Sequence, residues 1–271
     1  MESTPEKKSF DIDEIKAKLG AKIIGKAIHG YDIVDSTNAI ARTLAREGAE
    51  EGTVVLAEIQ RAGIGRLNRE WFSPKGGLWL SIILKPDIKP SEATKVILMA
   101  GVAVARTLAT VYGLDAKIKW PNDVLVNGKK VCGILTEIRT LESKIDYLVL
   151  GIGINANFEL EELPEGIRIF TTTLRHETGR DLPLGELFLS LLREIDECYD
   201  ILRSGNPERI LKAWKELSDT LGRKVKITTQ KESMVGIALD LDDTGALILK
   251  TSDDTIQKFV AGDCVHVSKT T

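Results

Sequence analysis

With 271 residues, 43% of them hydrophobic and 28% charged, the chain has the composition of an ordinary folded protein, and its length suits one large domain beside a smaller one. A formal net charge of −3 supplies no basic field, so general nucleic-acid binding is not expected and any cationic site must be local. Cys132, Cys198 and Cys264 lack zinc-site or disulfide spacing. Neither an apolar leader in MESTPEKKSFDIDEIKAKLG nor a stretch close to the roughly 20 apolar residues of a membrane span is read, so the expected compartment is reducing and cytoplasmic.

In chain order, Ser36 is placed to cap a helix over NAIARTLARE that ends at Gly48. TVVLAE at 53–58 reads as a buried strand. A glycine-arginine loop, EIQRAGIGRLNREW at 58–71, follows; its backbone N–H groups and guanidinium charge suit an anion. LWLSIIL at 78–84 predicts a strand, and the stretch from Ser91 to Gly113 a long, well-capped helix. KIKW, a PND turn, DVLV, the Asn127-Gly128 pair and KVCGILTEI read as antiparallel neighbours. DYLVLGIGINAN at 146–157 is a further strand, at an edge or in the interior, and 158–170 reads as a mobile loop. Leu187 to Leu202 and PERILKAWKEL carry helical periodicity. Beyond Gly222 short alternating strands with a DDTG turn predict a small barrel.

Four segments carry chemistry, each with a plain structural alternative. DSTN at 35–38 could be only a helix cap, and the loop at 60–71 only a solvated turn. KWPND at 119–123 could be a proline turn between strands. GIGIN at 151–155 lacks the third glycine of a dinucleotide fingerprint and could simply allow close packing.

Together and in this order the segments resemble the biotin protein ligases, from about residue 30 to the C-terminus: DSTN, the loop ending in Trp71, FSPKGGLWLSI, KWPND, KKVCGILTE, GIGIN, the TTL at 172–174 and a terminal barrel. The resemblance implies an α+β fold like that of class II aminoacyl-tRNA synthetases: a mixed, largely antiparallel sheet with flanking helices, plus a small C-terminal SH3-like β-barrel. It divides the chain into a short N-terminal extension (1–30), a catalytic domain (31–219) and the barrel (220–271). The extension is too short for the winged-helix DNA-binding domain of some members, so the non-repressor type is expected. The implied activity is ATP-dependent formation of biotinyl-AMP and transfer of biotin to a lysine of a biotin carboxyl carrier protein.

The resemblance also implies roles. Lys130 would bridge the biotin carboxyl and the α-phosphate, with Arg66 and the loop amides around the same junction; Asp123 would orient the acceptor lysine or take its proton. Ser36, Thr37, Asn38, Gln60 and Gly63 would form the biotin site, with Gly133, Gly151 and Gly153 giving the ring and valeryl chain access to the sheet. Gly65, Arg66, Arg69, Trp71, Lys119, Asn122 and Asn155 would meet the nucleotide. Magnesium is expected with the ATP phosphates, no carboxylate cluster for a metal being visible. The sequence leaves open whether the chain is a monomer or a homodimer, and neither a nucleic acid nor a membrane partner is expected.

The family's loop usually reads GRGR, one variable residue, then GR. Here Ile64 stands in place of an arginine and Asn68 in place of a glycine. The change at 64 removes charge-assisted hydrogen bonds, so the adenylate is expected to leave faster than from relatives; Asn68 tolerates a left-handed backbone. Two alternatives stay open: a catalytically impaired biotin-binding or regulatory protein, and a lipoate-type ligase on a related fold.

Overall fold

In a computed structural model of the protein, residues 10–267 are described. Residues 1–9 of the N-terminal extension, with that part of the leader reading, and 268–271 of the barrel lie outside the described residues. Asp11 caps α1 (Ile12–Leu19) by accepting from Glu14 N at 3.0 Å, and Gly20 ends it at φ 61°. Strand β1 (Ile28–Val34), α2 (Thr37–Arg46), β2 (Val54–Gln60), β3 (Leu78–Leu84) and α3 (Thr94–Tyr112) follow, then β4 (Ala116–Lys119), β5 (Asp123–Val126), β6 (Lys129–Leu141) and β7 (Lys144–Ile154). After the short α4 (Glu165–Arg168) and α5 (Leu174–Thr178) come α6 (Leu184–Arg203) and α7 (Pro207–Leu217).

The first seven strands form one sheet in the order β1-β2-β3-β7-β6-β5-β4. Only β1 and β2, joined by the crossover helix α2, run parallel. A second, all-antiparallel sheet has the order β11-β10-β9-β8-β12, from β8 (Lys224–Thr228), β9 (Ser233–Leu241), β10 (Leu247–Thr251), β11 (Ile256–Phe259) and β12 (Asp263–His266). This is the α+β architecture expected from the resemblance, with a C-terminal sheet consistent with an SH3-like domain. Val225, Ile227, Ala238 and Leu247 of the small sheet belong to the same apolar core as α3 and α6, so the two domains are packed as one body.

The period-2 alternation of the large sheet decides where a site can form. Leu80, Ile82, Ile134, Leu150, Ile152 and Ile154 point into the core under α3 and α6. The opposite face is covered at one end by α2, where Ala41 and Ala45 pack on Val55, Ile83 and Val149. At the other end Phe158 and Leu163 cover Trp79. Between these covers Ser81 pairs with Gly151, and Gly153 with Gly133. Three glycines and a serine leave the middle of the face open.

Several sequence expectations are corrected. Residues 10–28 are no detached extension: Phe10, Ile15, Leu19, Ile24 and Ile28 join the core, and Phe10 meets Phe188 edge-on with ring centroids 5.8 Å apart. Asp196, itself buried, accepts from the backbone N of Lys22, Ile23 and Ile24 at 2.7, 3.0 and 2.9 Å. Asp196→Ala should therefore cost about 3 kcal/mol in chemical denaturation, since one buried and two partly buried amides lose a charged acceptor; an unchanged midpoint would show that water replaces it. Ser91 does not cap α3, because a proline-initiated 3₁₀ turn over 90–92 precedes it, though Gly113 ends it at φ 65° as expected. Pro90–Tyr112 is long and apolar enough to cross a membrane by composition alone, contrary to the sequence reading; its apolar surface is spent on the core. Strand β7 lies between β3 and β6, so it offers no edge. The 158–170 segment contains a 3₁₀ turn and α4 over the buried Phe158 and Leu163.

Candidate active site

The open middle of the sheet is the floor of a cavity of about 250 Å³. A β-bulge puts the key lysine there. Cys132 pairs with Val124 but Lys130 with Leu125, so Val131 is an extra residue. Strict alternation would set Lys130 and Gly133 on opposite faces; the bulge lets Val131 and Cys132 both enter the core and turns Lys130 to the side of Gly133. The chain beyond α4 then clamps this position, with Lys130 N donating to Phe170 O at 2.8 Å and Thr172 N to Lys130 O at 2.9 Å.

The Lys130 ammonium sits 2.5 Å from Asp123 Oδ1 and 5.0 Å from the centre of the Trp71 ring. Asp123 is held opposite Gly133 by its strand pairing. Arg66 is differently placed. Its guanidinium donates to Asn122 Oδ1 and to Gly262 O, both at 3.0 Å, and burial lowers its pKa from the ordinary value. A partly buried cation bonded directly only to neutral oxygens is a site poised for an anion. Arg69 instead pairs with Asp263 of the small domain.

The glycine-arginine loop folds as a hairpin. Gly65 N donates to Arg69 O and Trp71 N to Gly63 O, each at 2.8 Å, and Leu67 and Asn68 turn the tip at φ 56°. Asn68 thus takes the left-handed backbone expected of it, and Leu67 does so as well. Ile64 lies at the cavity mouth, 52% exposed.

At the other end of the cavity Ser36 caps α2, accepting from Ala39 N, and Thr37 and Asn38 are buried beside it. Thr37 N donates to Gln60 Oε1 at 2.9 Å, and Gln60 Nε2 to Ser73 Oγ at 2.9 Å. Ser81 Oγ lies 2.6 Å from Asn38 Oδ1 and 2.7 Å from Thr37 Oγ1. Asn38 Nδ2 donates to Glu137 Oε1 at 2.7 Å, and Arg42 pairs with the other carboxylate oxygen. Ser73, Ser81 and Glu137 lie within FSPKGGLWLSI and KKVCGILTE, and Arg42 on α2, but the sequence assigns them no role in the site, because their link to DSTN is long-range.

Of the residues named from the sequence, Ser36, Thr37, Asn38, Gln60, Gly65, Arg66, Arg69, Trp71, Asn122, Asp123, Lys130, Gly133, Gly151, Gly153 and Asn155 line this one cavity. Two do not. A Cβ on Gly63 would meet Trp71 O at 2.4 Å, so this glycine permits the hairpin crossing. Lys119 ends β4 and acts electrostatically on Cys264 and His266, which places it toward the small domain. The glycines also serve differently from the expectation. The Trp71 indole lies on Gly133 and Gly153, where added Cβ atoms would come within 2.9 and 2.4 Å of it, and Gly151 makes room for Asn38. Burial pushes the Cys264 thiol up to about 11 and Cys198 to about 12, so neither is a thiolate nucleophile. No group of metal-ligating side chains occurs among the described residues.

Gly151→Ala is the sharpest local test. Its Cβ would stand 2.3 Å from Asn38 Oδ1, forcing the α2 start away from Ser81. Affinity for the small-molecule ligand should fall about tenfold or more, and the overpacking should also lower stability by about 1–3 kcal/mol, so binding is read at a temperature where the variant is folded. Unchanged affinity would show that the Asn38 contact has no part in binding.

Residues 30–155 match the Biotin/lipoate A/B protein ligase family, and 220–267 the Biotin protein ligase C terminal domain. The chain is 34% identical over 253 residues to the bifunctional ligase/repressor BirA of Bacillus spizizenii, covering 92% of this chain and 77% of the relative. It is 33% identical over 240 residues to the biotin–[acetyl-CoA-carboxylase] ligase of Mycobacterium tuberculosis, covering 86% of each. In structure it is similar to the biotin protein ligase of Aquifex aeolicus in complex with biotin and ATP, with a TM-score of 0.76 and 30% identity, covering 89% of this chain and 98% of that one.

Proposed function

The chain belongs to the biotin protein ligase family, and from that premise we propose that it adenylates biotin with ATP and passes the biotinyl group to a lysine of a biotin carboxyl carrier protein. The observation that carries the reading is one cavity with a glycine floor that has Lys130 and Arg66, the latter bonded only to neutral oxygens, at one end and the Ser36–Thr37 pair at the other. In the first step a biotin carboxylate oxygen attacks the α-phosphorus and the bond to pyrophosphate breaks. In the second, the lysine ε-amine attacks the acyl carbon, the bond to AMP breaks, and the amine sheds a proton. Both steps concentrate negative charge at one carboxyl-phosphate junction, where preplaced donors lower the barrier without reorganising.

Lys130 is suited to that junction because its point charge can leave Asp123 for a phosphoryl oxygen without reshaping the pocket. Asp123 holds the ammonium on the ligand side until then. Trp71 must turn off Gly133 and Gly153 for a ligand to lie on that part of the floor. Magnesium would enter with ATP as the substrate complex: of the carboxylates lining the cavity, Asp123 and Asp263 are each engaged by a cation, and Glu70 alone makes no ligand set. The match of residues 220–267 to the Biotin protein ligase C terminal domain favours biotin over lipoate.

A homodimer is part of the same proposal. Beyond Ile134, β6 pairs only with β7, and residues 135–141 leave one edge open among the described residues. The activity test is direct. Incubation with MgATP, biotin and a carrier domain should add one biotinyl group to a single carrier lysine by mass spectrometry; an unmodified carrier, with biotin-dependent pyrophosphate exchange also absent, rejects the reading.

A further inference from the structure

We propose that Glu137 sets the hydrogen-bond polarity of the small-molecule site, making Thr37 an obligatory acceptor and so selecting a ligand that presents a ring N–H there. The inference rests on the biotin reading above and deepens it. Glu137 touches no ligand; it acts through Asn38 and Ser81 and is a positioning residue.

A chain of close contacts from Glu137 to Thr37 has only as many protons as its donors carry. Glu137, paired with Arg42, is a carboxylate and can only accept. Of the two ends of the Asn38 amide, therefore, only Nδ2 can face it, at 2.7 Å. Asn38 Oδ1 is then turned to Ser81, 2.6 Å away, and can only accept, so the single Ser81 proton is spent on it. Ser81 Oγ meets Thr37 Oγ1 at 2.7 Å with lone pairs alone.

The far side closes in the same way. Ser73 donates to the Trp71 carbonyl at 2.9 Å, so it must accept from Gln60 Nε2, and Gln60 Oε1 is turned to Thr37. That oxygen accepts from Thr37 N at 2.9 Å and lies 3.1 Å from Thr37 Oγ1. Both protein neighbours of the Thr37 hydroxyl are thus acceptors. Its proton is used inward whichever it chooses, and only lone pairs are left for the cavity.

A cyclic urea offers an N–H at such a point; a cyclic carbamate with oxygen in place of that nitrogen offers a second acceptor and is repelled. A buried group built to meet a donor rejects an isostere lacking it strongly, because both oxygens are then left unpaired. Glu137→Gln releases the constraint. The new side chain can give its oxygen to Arg42 and its NH₂ to Asn38, the Asn38 amide turns over, Ser81 donates to Thr37, and Gln60 Oε1 at 3.1 Å, which already accepts from Thr37 N, is left as the one inward acceptor competing with the ligand for the Thr37 proton.

The experiment compares biotin with its two ring-oxygen isosteres in ATP–pyrophosphate exchange, using the full chain and whichever isostere the parent rejects more strongly. In Glu137→Gln the ratio of kcat/KM for biotin over the isostere should fall about tenfold, with the KM for ATP unchanged. Ser81→Ala cuts the same relay and should lower the ratio similarly, and the double variant should lower it no further. A parent that exchanges with biotin while both variants keep its ratio, or a double variant whose losses multiply, overturns the proposal. A parent inert toward biotin overturns the functional reading and this proposal with it. General loosening of the site would depress both ligands alike and leave the ratio where it stood.

Discussion

Lys130→Ala is expected to slow biotin-dependent pyrophosphate exchange by about a hundredfold to a thousandfold, the range seen when one preorganised donor to a developing charge is removed. The ammonium lies on the ligand side of Gly133 because of the Val131 bulge, and its backbone is tied on both sides to the 170–172 segment. Truncation removes charge without moving the frame. Asp123 is then left without its counter-ion, which adds repulsion toward carboxylate and phosphate. Asp123→Asn restores neutrality at that point, so the double variant should recover part of the loss. An unfolding midpoint measured on both variants separates this recovery from relief of a buried unpaired carboxylate, whereas a single variant at full rate would remove Lys130 from the chemistry.

Ile64→Arg is expected to lengthen the lifetime of bound biotinyl-AMP by about ten- to a hundredfold, the change that follows from regaining a charge-assisted hydrogen bond of roughly 1.5–3 kcal/mol. The position can take the longer side chain: Ile64 is half exposed at the cavity mouth, and its pairing with Glu70 is through the backbone. Glu70 also lines the cavity and would compete for the new guanidinium, so the gain should be larger with Glu70→Gln present. A chase experiment, adding excess unlabelled adenylate to the preformed complex, reads the off-rate. Equal off-rates for parent and variant would mean that Arg66 already supplies what the missing arginine would have given.

Much of the frame was legible because it is written in local chemistry. Ser36 before an apolar-periodic run is a cap, Pro207 opens α7, and LWLSIIL is a wholly buried strand. Strand β1 was missed because IHGYDIV is an exposed edge strand in which only the terminal residues are buried, so it carries no alternation. Helix α1 is short and mostly solvated, with only Ile15 and Leu19 buried as its signal. Most of the cavity lining could be named from the motifs. Its geometry could not: period-2 reasoning separates Lys130 from Gly133, and nothing in KKVCGILTE announces the extra residue that reunites them.

Partners distant in sequence were illegible for a different reason. Glu137 meets a residue 99 positions away, and the Arg66 guanidinium is seated on a carbonyl 196 positions away in the small domain. No local pattern encodes such contacts. The role given to the glycines changed similarly, because the sequence shows that space is left over the sheet and only the structure shows the Trp71 ring filling part of it.

The most direct measurement of the charge argument is equilibrium binding of biotin and of a non-hydrolysable biotinyl-AMP analogue to the parent and to Arg66→Ala. The account predicts that the variant keeps its affinity for biotin within a few-fold and loses roughly ten- to a hundredfold for the adenylate, because the truncated cation faces the phosphoryl group alone. Equal losses for the two ligands, or no loss for either, would contradict it.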